Sequence, residues 1–190
     1  MDTMEQMLSM LLDGAVETLD ISPDLQRLAI DRYEEVGTWL AEHGGYRCRI
    51  YPQGSFRLGT VVRPGTRTGE YDIDLVCWLL IAKETITQAG LKQRVGDLLH
   101  AYLRWKKQQG HTDGPKSCEA RRCWTLAYPD HDFHLDVLPT IPDVEHPPTG
   151  ILLTDKQLYR WQHSNPIGYA TWFRTRLAQP QPPLAMDQRP

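Results

Sequence analysis

Residues 71–82 constrain the fold more than any other stretch. Two aspartates, Asp72 and Asp74, open a run that is continuously apolar from Leu75 onward. Alternation that gives way to an unbroken apolar run predicts a strand whose second half is buried on both faces. Side chains two apart on a strand share a face, so both carboxylates point one way while Ile73 and Leu75 enter the core. Such a strand has to lie inside a sheet covered by helices.

The covering helices can be read on either side of it. Residues 3–20 carry Met4, Met7, Leu8, Leu11, Leu12, Ala15 and Leu19 at helical spacing, which predicts an amphipathic helix. Ser22 as N-cap, Pro23 in the first turn and Asp24 at the positive end start a second helix over 22–43. Its apolar face is Leu25, Leu28, Ala29, Tyr33, Val36 and Leu40, and Gly44-Gly45 ends it. Residues 46–53 read as a strand stopped by Gly54, and 63–70 as a polar loop. A third helix is expected over 84–109, with Ile86 on its apolar face and Lys106-Lys107 as a charge pair at its C-terminal end. A loop at 111–117 leads into two β-type segments, 118–128 and 132–138, around a turn at Tyr128 and Pro129. Pro139, Pro142, Pro147 and Pro148 then argue against regular structure. Ser164-Asn165-Pro166 begins a last helix over 167–177. Trp39, Trp78 and Trp105 fall on core-facing patterns. The expected class is α/β (α+β), a mixed sheet flanked by helices. The expected organisation is an N-terminal helix (1–21), one core (22–178) and a disordered proline-rich tail (179–190).

Composition limits the function classes. At 190 residues the chain can bury a real core. Its net charge of −3 excludes a bulk basic surface, so duplex DNA binding is not expected. Four cysteines without a C-x-x-C pair predict reduced thiols and no zinc site of their own. No apolar run is long enough to span a bilayer, and the acidic N-terminus does not read as a signal peptide. A soluble, cytoplasmic protein without membrane contact is expected.

The chemistry centres on carboxylates. Asp72 and Asp74 repel one another on a shared face, which a divalent cation between them relieves; Mg²⁺ takes such hard oxygen ligands. Two solvated carboxylates at a strand end are the plainer alternative. Asp136 lies in a short β-type run between Leu135 and Val137, where an unpaired acid is costly to bury. If that strand neighbours the first, three carboxylates converge, enough for one or two Mg²⁺ ions. Otherwise Asp136 pairs with Arg121 or Arg122. Gln53, Gly54 and Ser55 form a turn whose backbone can approach a phosphate, although Gly-Ser alone is weak evidence. His131 and His134 read as solvated or hydrogen-bonded, with a role near a metal as the alternative for His134. Arg57, Arg63 and Arg67 either meet phosphate or RNA charge or form a solvated loop.

These residues resemble a family. Gly54-Ser55, Asp72-x-Asp74 and Asp136 resemble the signature of the polymerase-β-like nucleotidyltransferases. The wording is nearer to one branch: Gln-Gly-Ser-Phe-Arg-Leu-Gly-Thr-Val-Val-Arg-Pro at 53–64, Glu-Tyr-Asp-Ile-Asp-Leu-Val at 70–76 and His-Leu-Asp-Val-Leu-Pro at 134–139. They look like bacterial cyclic-oligonucleotide synthases, the DncV-like nucleotidyltransferases (CD-NTases) related to cyclic GMP-AMP synthase, which serve anti-phage signalling (CBASS). Residues 161–173 also resemble a segment beyond the third aspartate of that family. The likeness runs from about 22 to 176.

The resemblance implies Mg²⁺- or Mn²⁺-dependent nucleotidyl transfer with two ions. Asp72, Asp74 and Asp136 would be catalytic and metal-holding, and Gln53, Gly54 and Ser55 would contact the phosphates of ATP, GTP or another NTP. The product would be a cyclic or linear oligonucleotide second messenger, with room for a protein regulator. Relatives carry a second, helical lobe after the core, bringing basic residues and the base-selecting groups. Here no lysine follows Lys156 and the sequence stops at Pro190, so that lobe is expected to be largely absent and the chain truncated at its C-terminus. Two alternatives stay open: transfer of a nucleotide to a protein or RNA, as toxin-like relatives perform it, and an inactive nucleotide-binding fragment.

Overall fold

The apolar run does build the centre of a sheet. The computed structural model describes residues 3–45, 48–63, 70–111, 114–131 and 133–180. In chain order the elements are α1 (Thr3–Leu19), α2 (Pro23–His43), β1 (Cys48–Pro52), α3 (Gly54–Leu58), β2 (Tyr71–Leu79), α4 (Gln88–Gln108), β3 (Lys116–Glu119), β4 (Trp124–Tyr128), β5 (Phe133–Pro142), β6 (Ile151–Leu153), β7 (Gln162–Ser164) and α5 (Pro166–Leu177). The strands are ordered β1-β2-β5-β4-β3, with β6 paired to β5 and β7 paired to β6. Only β2 and β5 run parallel; every other described pair is antiparallel. The sheet is therefore mixed.

Period-two alternation separates its faces. Ile73, Leu75, Cys77 and Leu79 of β2, with Leu126 of β4 and Leu135 and Val137 of β5, join one buried core with Val36 and Leu40 of α2 and Leu91, Val95 and Leu99 of α4. Asp72, Asp74, Val76 and Trp78 take the opposite face, where Val76, Trp78 and Ile151 form a smaller apolar cluster. The local signals that begin the helices are real. The Ser22 hydroxyl accepts the Leu25 N–H, and the Asn165 side chain accepts the Gly168 N–H.

Several expectations need correction. The third helix begins at Gln88, not 84, because Thr87 caps it by accepting the Gly90 N–H; Ile86 lies before it, after a single 3₁₀ turn over Lys83–Thr85. The segment 118–128 is two strands: β3 starts at Lys116, inside the expected loop, and a tight turn at 120–123 divides it from β4. Regular structure does not end at the prolines. β5 continues through Pro139 to Pro142. On that side β4 pairs as far as Val137 and β6 begins at Thr140, so Pro139 falls in the gap between two partners. Trp105 is 36% exposed rather than core. Lys106 is buried and bridges to Glu35 of α2 at 2.6 Å instead of forming a terminal charge pair. None of the residues of α1 is buried. Residues 64–69 of the expected loop at 63–70 and residues 181–190 of the expected tail at 179–190 lie outside the described residues. No described helix is long and apolar enough to cross a membrane.

Candidate active site

The parallel pairing of β2 with β5 sets Asp74 directly beside Asp136, and Asp72 beside His134. All four side chains share the face away from the main core. One atom each from Asp72, Asp136 and His134 lies within 4.8 Å of the others. Asp74 belongs to the same charged group, since burial and the repulsion of Asp72 and Asp136 push its carboxyl up to about 6, with His134 pulling the other way. Two neighbouring carboxylates thus make ionisation of a third harder.

Each carboxylate is held differently. Thr125, directly opposite Asp136 on β4, donates its hydroxyl to Asp136 Oδ1 at 2.6 Å. The Cys123 thiol donates to Oδ2 at 3.0 Å. Burial, reinforced by the Asp136 bond, drives that thiol up to about 12, so it stays a donor. Arg121 and Arg122 do not pair with Asp136; both go to Asp155. His134 Nε2 lies 3.3 Å from Asp72 Oδ1, and Nδ1 lies 3.1 Å from Glu70 Oε2. The bond to Asp72 raises this imidazole to about 9 against the effect of burial. His134 is therefore hydrogen-bonded inside the cluster. Nothing in the spacing revealed Thr125 and Cys123; they became visible only with the β4–β5 register.

The Gly-Ser turn reaches the same place. The Gln53 N–H donates to the Asp74 carbonyl at 2.8 Å, which pins the turn to β2. Gly54 has φ +63°, and a Cβ built there would meet Asp74 Oδ2 at 2.2 Å. Only glycine fits that position, both for its backbone and for the space the carboxylate fills. Gln53, Gly54 and Asp74, with Arg57 and Leu58, line a hollow whose opposite wall is Ser164, Asn165, Pro166, Tyr169 and Ala170. Ser55 occupies the next position of α3 and is half-buried. Of the three arginines, Arg57 lies over the Tyr51 ring and donates to the Pro52 carbonyl, Arg63 donates to Asp20 O at the end of α1, and Arg67 lies outside the described residues.

The donor set suits a divalent cation. Three carboxylates offer hard oxygen ligands, with His134 hydrogen-bonded among them. A cation would relieve the repulsion that raises Asp74.

Comparison with known proteins agrees with this geometry. Residues 48–139 match the family described as the nucleotidyltransferase domain of cyclic GMP-AMP synthase DncV-like proteins. A c-di-GMP synthase of Roseivirga ehrenbergii is 32% identical over 146 residues, covering 74% of this chain and 36% of that protein. The Bradyrhizobium diazoefficiens CD-NTase CdnG, solved in complex with GTP, superposes with a TM-score of 0.67 at 23% identity, over 84% of this chain and 44% of its own. The GTP-bound Vibrio cholerae DncV gives 0.54 at 23% identity, over 67% and 33%. The chain thus spans between a third and a half of the length of these proteins. The match across β1, β2 and most of β5 thus places residues 48–139 among the DncV-like nucleotidyltransferase domains.

Proposed function

We propose that this chain is the catalytic core of a metal-dependent nucleotidyltransferase that joins nucleoside triphosphates into a cyclic or linear oligonucleotide messenger. The observation that carries the reading is the β2–β5 register, which aligns Asp74 with Asp136 two residues beyond Asp72. In that reaction an acceptor ribose hydroxyl loses its proton, its oxygen bonds to the donor α-phosphate, and the bond to pyrophosphate breaks. Asp72, Asp74 and Asp136 would hold one or two Mg²⁺ or Mn²⁺ ions, which supply charge neutralisation and a more acidic acceptor hydroxyl. Thr125 and Cys123 fix the rotamer of Asp136, and His134 steadies Asp72. Gln53 and Gly54 would face the donor phosphates from the hollow they line with α5, and Ser55 would reach them from the next position of α3.

GTP and ATP are the natural donors to try first, since two solved neighbours hold GTP and the curated relative is a c-di-GMP synthase. A protein regulator fits the reading, because an Escherichia coli neighbour, CdnC, was solved with a HORMA protein. Anti-phage signalling in the cytoplasm follows as the biological role, in keeping with four free thiols. Incubation with mixed NTPs and Mg²⁺, followed by mass spectrometry, should reveal a new oligonucleotide and pyrophosphate. No product, or product that survives Asp72→Ala, overturns the proposal. Label that ends on a macromolecule instead would assign the chain to the toxin-like class.

A further inference from the structure

A second group of ligating side chains gathers at the far end of β5. Asp143 follows the strand seven residues beyond Asp136, about 23 Å along an extended chain. It is 3% exposed, and among the described residues no lysine or arginine pairs with it. Its Oδ2 instead receives two imidazoles, His146 Nδ1 at 2.8 Å and His163 Nδ1 at 2.6 Å. Its Oδ1 accepts the Glu145 N–H at 3.1 Å. Although burial works against ionisation, these bonds hold the Asp143 carboxyl below its usual range.

The cluster is built rather than accidental. His146 sits on a loop closed by Asp143 N–H to Gly150 O at 3.0 Å and Gly150 N–H to His146 O at 2.8 Å. His163 comes from β7, opposite Leu152 of β6, so the two rings arrive from different elements and meet at 5.3 Å, nearly perpendicular. One atom from each of Asp143, Glu145, His146 and His163 lies within 4.8 Å of all the others. Two imidazoles and two carboxylates are the number and type of ligands that a tetrahedral Zn²⁺ takes, with ligand atoms about 3.3 Å apart. The present 2.6–2.8 Å contacts need to open by only about half an ångström to reach that spacing. Imidazole nitrogen also discriminates against Mg²⁺, which prefers an all-oxygen shell. The sequence assigned no zinc because it weighed the cysteines and the pair His131 and His134; His146 and His163 are brought together only by the β5–β6–β7 meander.

We propose that Asp143, Glu145, His146 and His163 bind one transition-metal ion, Zn²⁺ by donor type, which clamps the β5–β6 loop to β7. Both histidine side chains are about half exposed, at 61% and 49%, so the ion enters from solvent. Binding replaces two N–H···O bonds with metal–nitrogen bonds. Each Nδ1 gives up its proton to ligate: a singly protonated ring carries it on Nε2 instead, and a doubly protonated ring releases it to solvent. The clamp also bears on the hollow, since Ser164 follows His163 directly and Pro166 begins α5.

The test uses the whole chain, stripped with a chelator, loaded with Zn²⁺ in excess Mg²⁺, desalted and analysed for metal. One Zn²⁺ per chain is expected, with at least a tenfold loss of affinity in His146→Ala, an exposed position whose truncation leaves the core untouched. His146→Ala/His163→Ala should retain none, whereas Asp72→Asn/Asp136→Asn should retain the ion. Co²⁺ in the same site should give the intense visible absorption of tetrahedral coordination in the unaltered chain, a readout independent of any variant's folding. Loss of Zn²⁺ on desalting, or equal retention by the double-histidine variant, overturns the proposal. The latter outcome would mean that the ion sits at His134.

Discussion

Two carboxylates in this molecule, one buried and one half-buried, are treated in opposite ways. Asp155 is fully buried, and the fold surrounds it with cations and donors: Arg121 at 2.9 Å, Arg122 at 2.9 Å, and the N–H groups of Gln157 and Leu158, both at 3.0 Å. These bonds hold its carboxyl far below the usual range. Asp74 receives the reverse. It is half-buried, its neighbours Asp72 and Asp136 are acids, and burial together with their repulsion pushes its carboxyl up to about 6. A carboxylate that serves the fold comes with its own counter-charges. Asp74 is set among acids instead, with His134 acting against them.

That contrast makes separable predictions. On the proposed function, Asp74→Asn and Asp136→Asn should lower pyrophosphate release by orders of magnitude, since each would hold the catalytic ion. The metal-free Asp74→Asn protein should nevertheless melt higher, by about 2–6 °C, because removing a half-buried charge and its repulsion is worth on the order of 1–2 kcal/mol after solvent screening. Calorimetry together with a pyrophosphate assay reads both effects, and a lower melting point would end the contrast.

Asp155→Asn should do the opposite, giving the largest fall in Tm of any single carboxylate substitution. Its pH dependence follows from the depressed carboxyl: the stabilisation is fully present above the unfolded value of about 4 and is lost as pH falls toward the folded one. The Tm gap between the two proteins should therefore hold from pH 8 to about pH 4 and narrow below it. A gap already closing at pH 6 would be inconsistent with the Arg121–Asp155–Arg122 arrangement.

Smaller effects probe the turn. Gly54→Ala forces a left-handed backbone costing about 1–2 kcal/mol and displaces Asp74 Oδ2, so turnover should drop more than about tenfold with a Tm loss of a few degrees. Mg²⁺ at about ten times its Kd should raise the Tm by about 3–6 °C, and Asp72→Asn/Asp74→Asn should abolish the shift.

How much of this could be read beforehand follows from where the information lies. Asp72 and Asp74 share a face because of strand geometry alone, and Ser22 and Asn165 cap their helices through local hydrogen bonds. Such features need no knowledge of partners. The convergence of Asp136 was conditional on two strands being neighbours, and the register supplied that condition. What escaped depended on non-local pairing. Pro139 reads as a breaker unless one knows that β4 has ended and β6 has not begun. Lys106 looks like a terminal charge until α2 brings Glu35 to it. Arg121 and Arg122 could have served either Asp136 or Asp155, and only the turn at 120–123 decides.

The change of partners along β5 has a mechanical consequence. Residues 133–137 are flanked by β2 and β4, Leu138 and Pro139 keep β2 alone, and β6 takes the other side from Thr140 to Pro142. On one side β5 changes partner from β4 to β6, while on the other β2 runs unbroken past that change as far as Thr140. Fraying of the β6–β7 edge would unzip the ladder only as far as that change of partner. The rows that carry Asp74, Thr125 and Asp136 would stay in register, and amide exchange along β5 should change abruptly between Leu138 and Thr140.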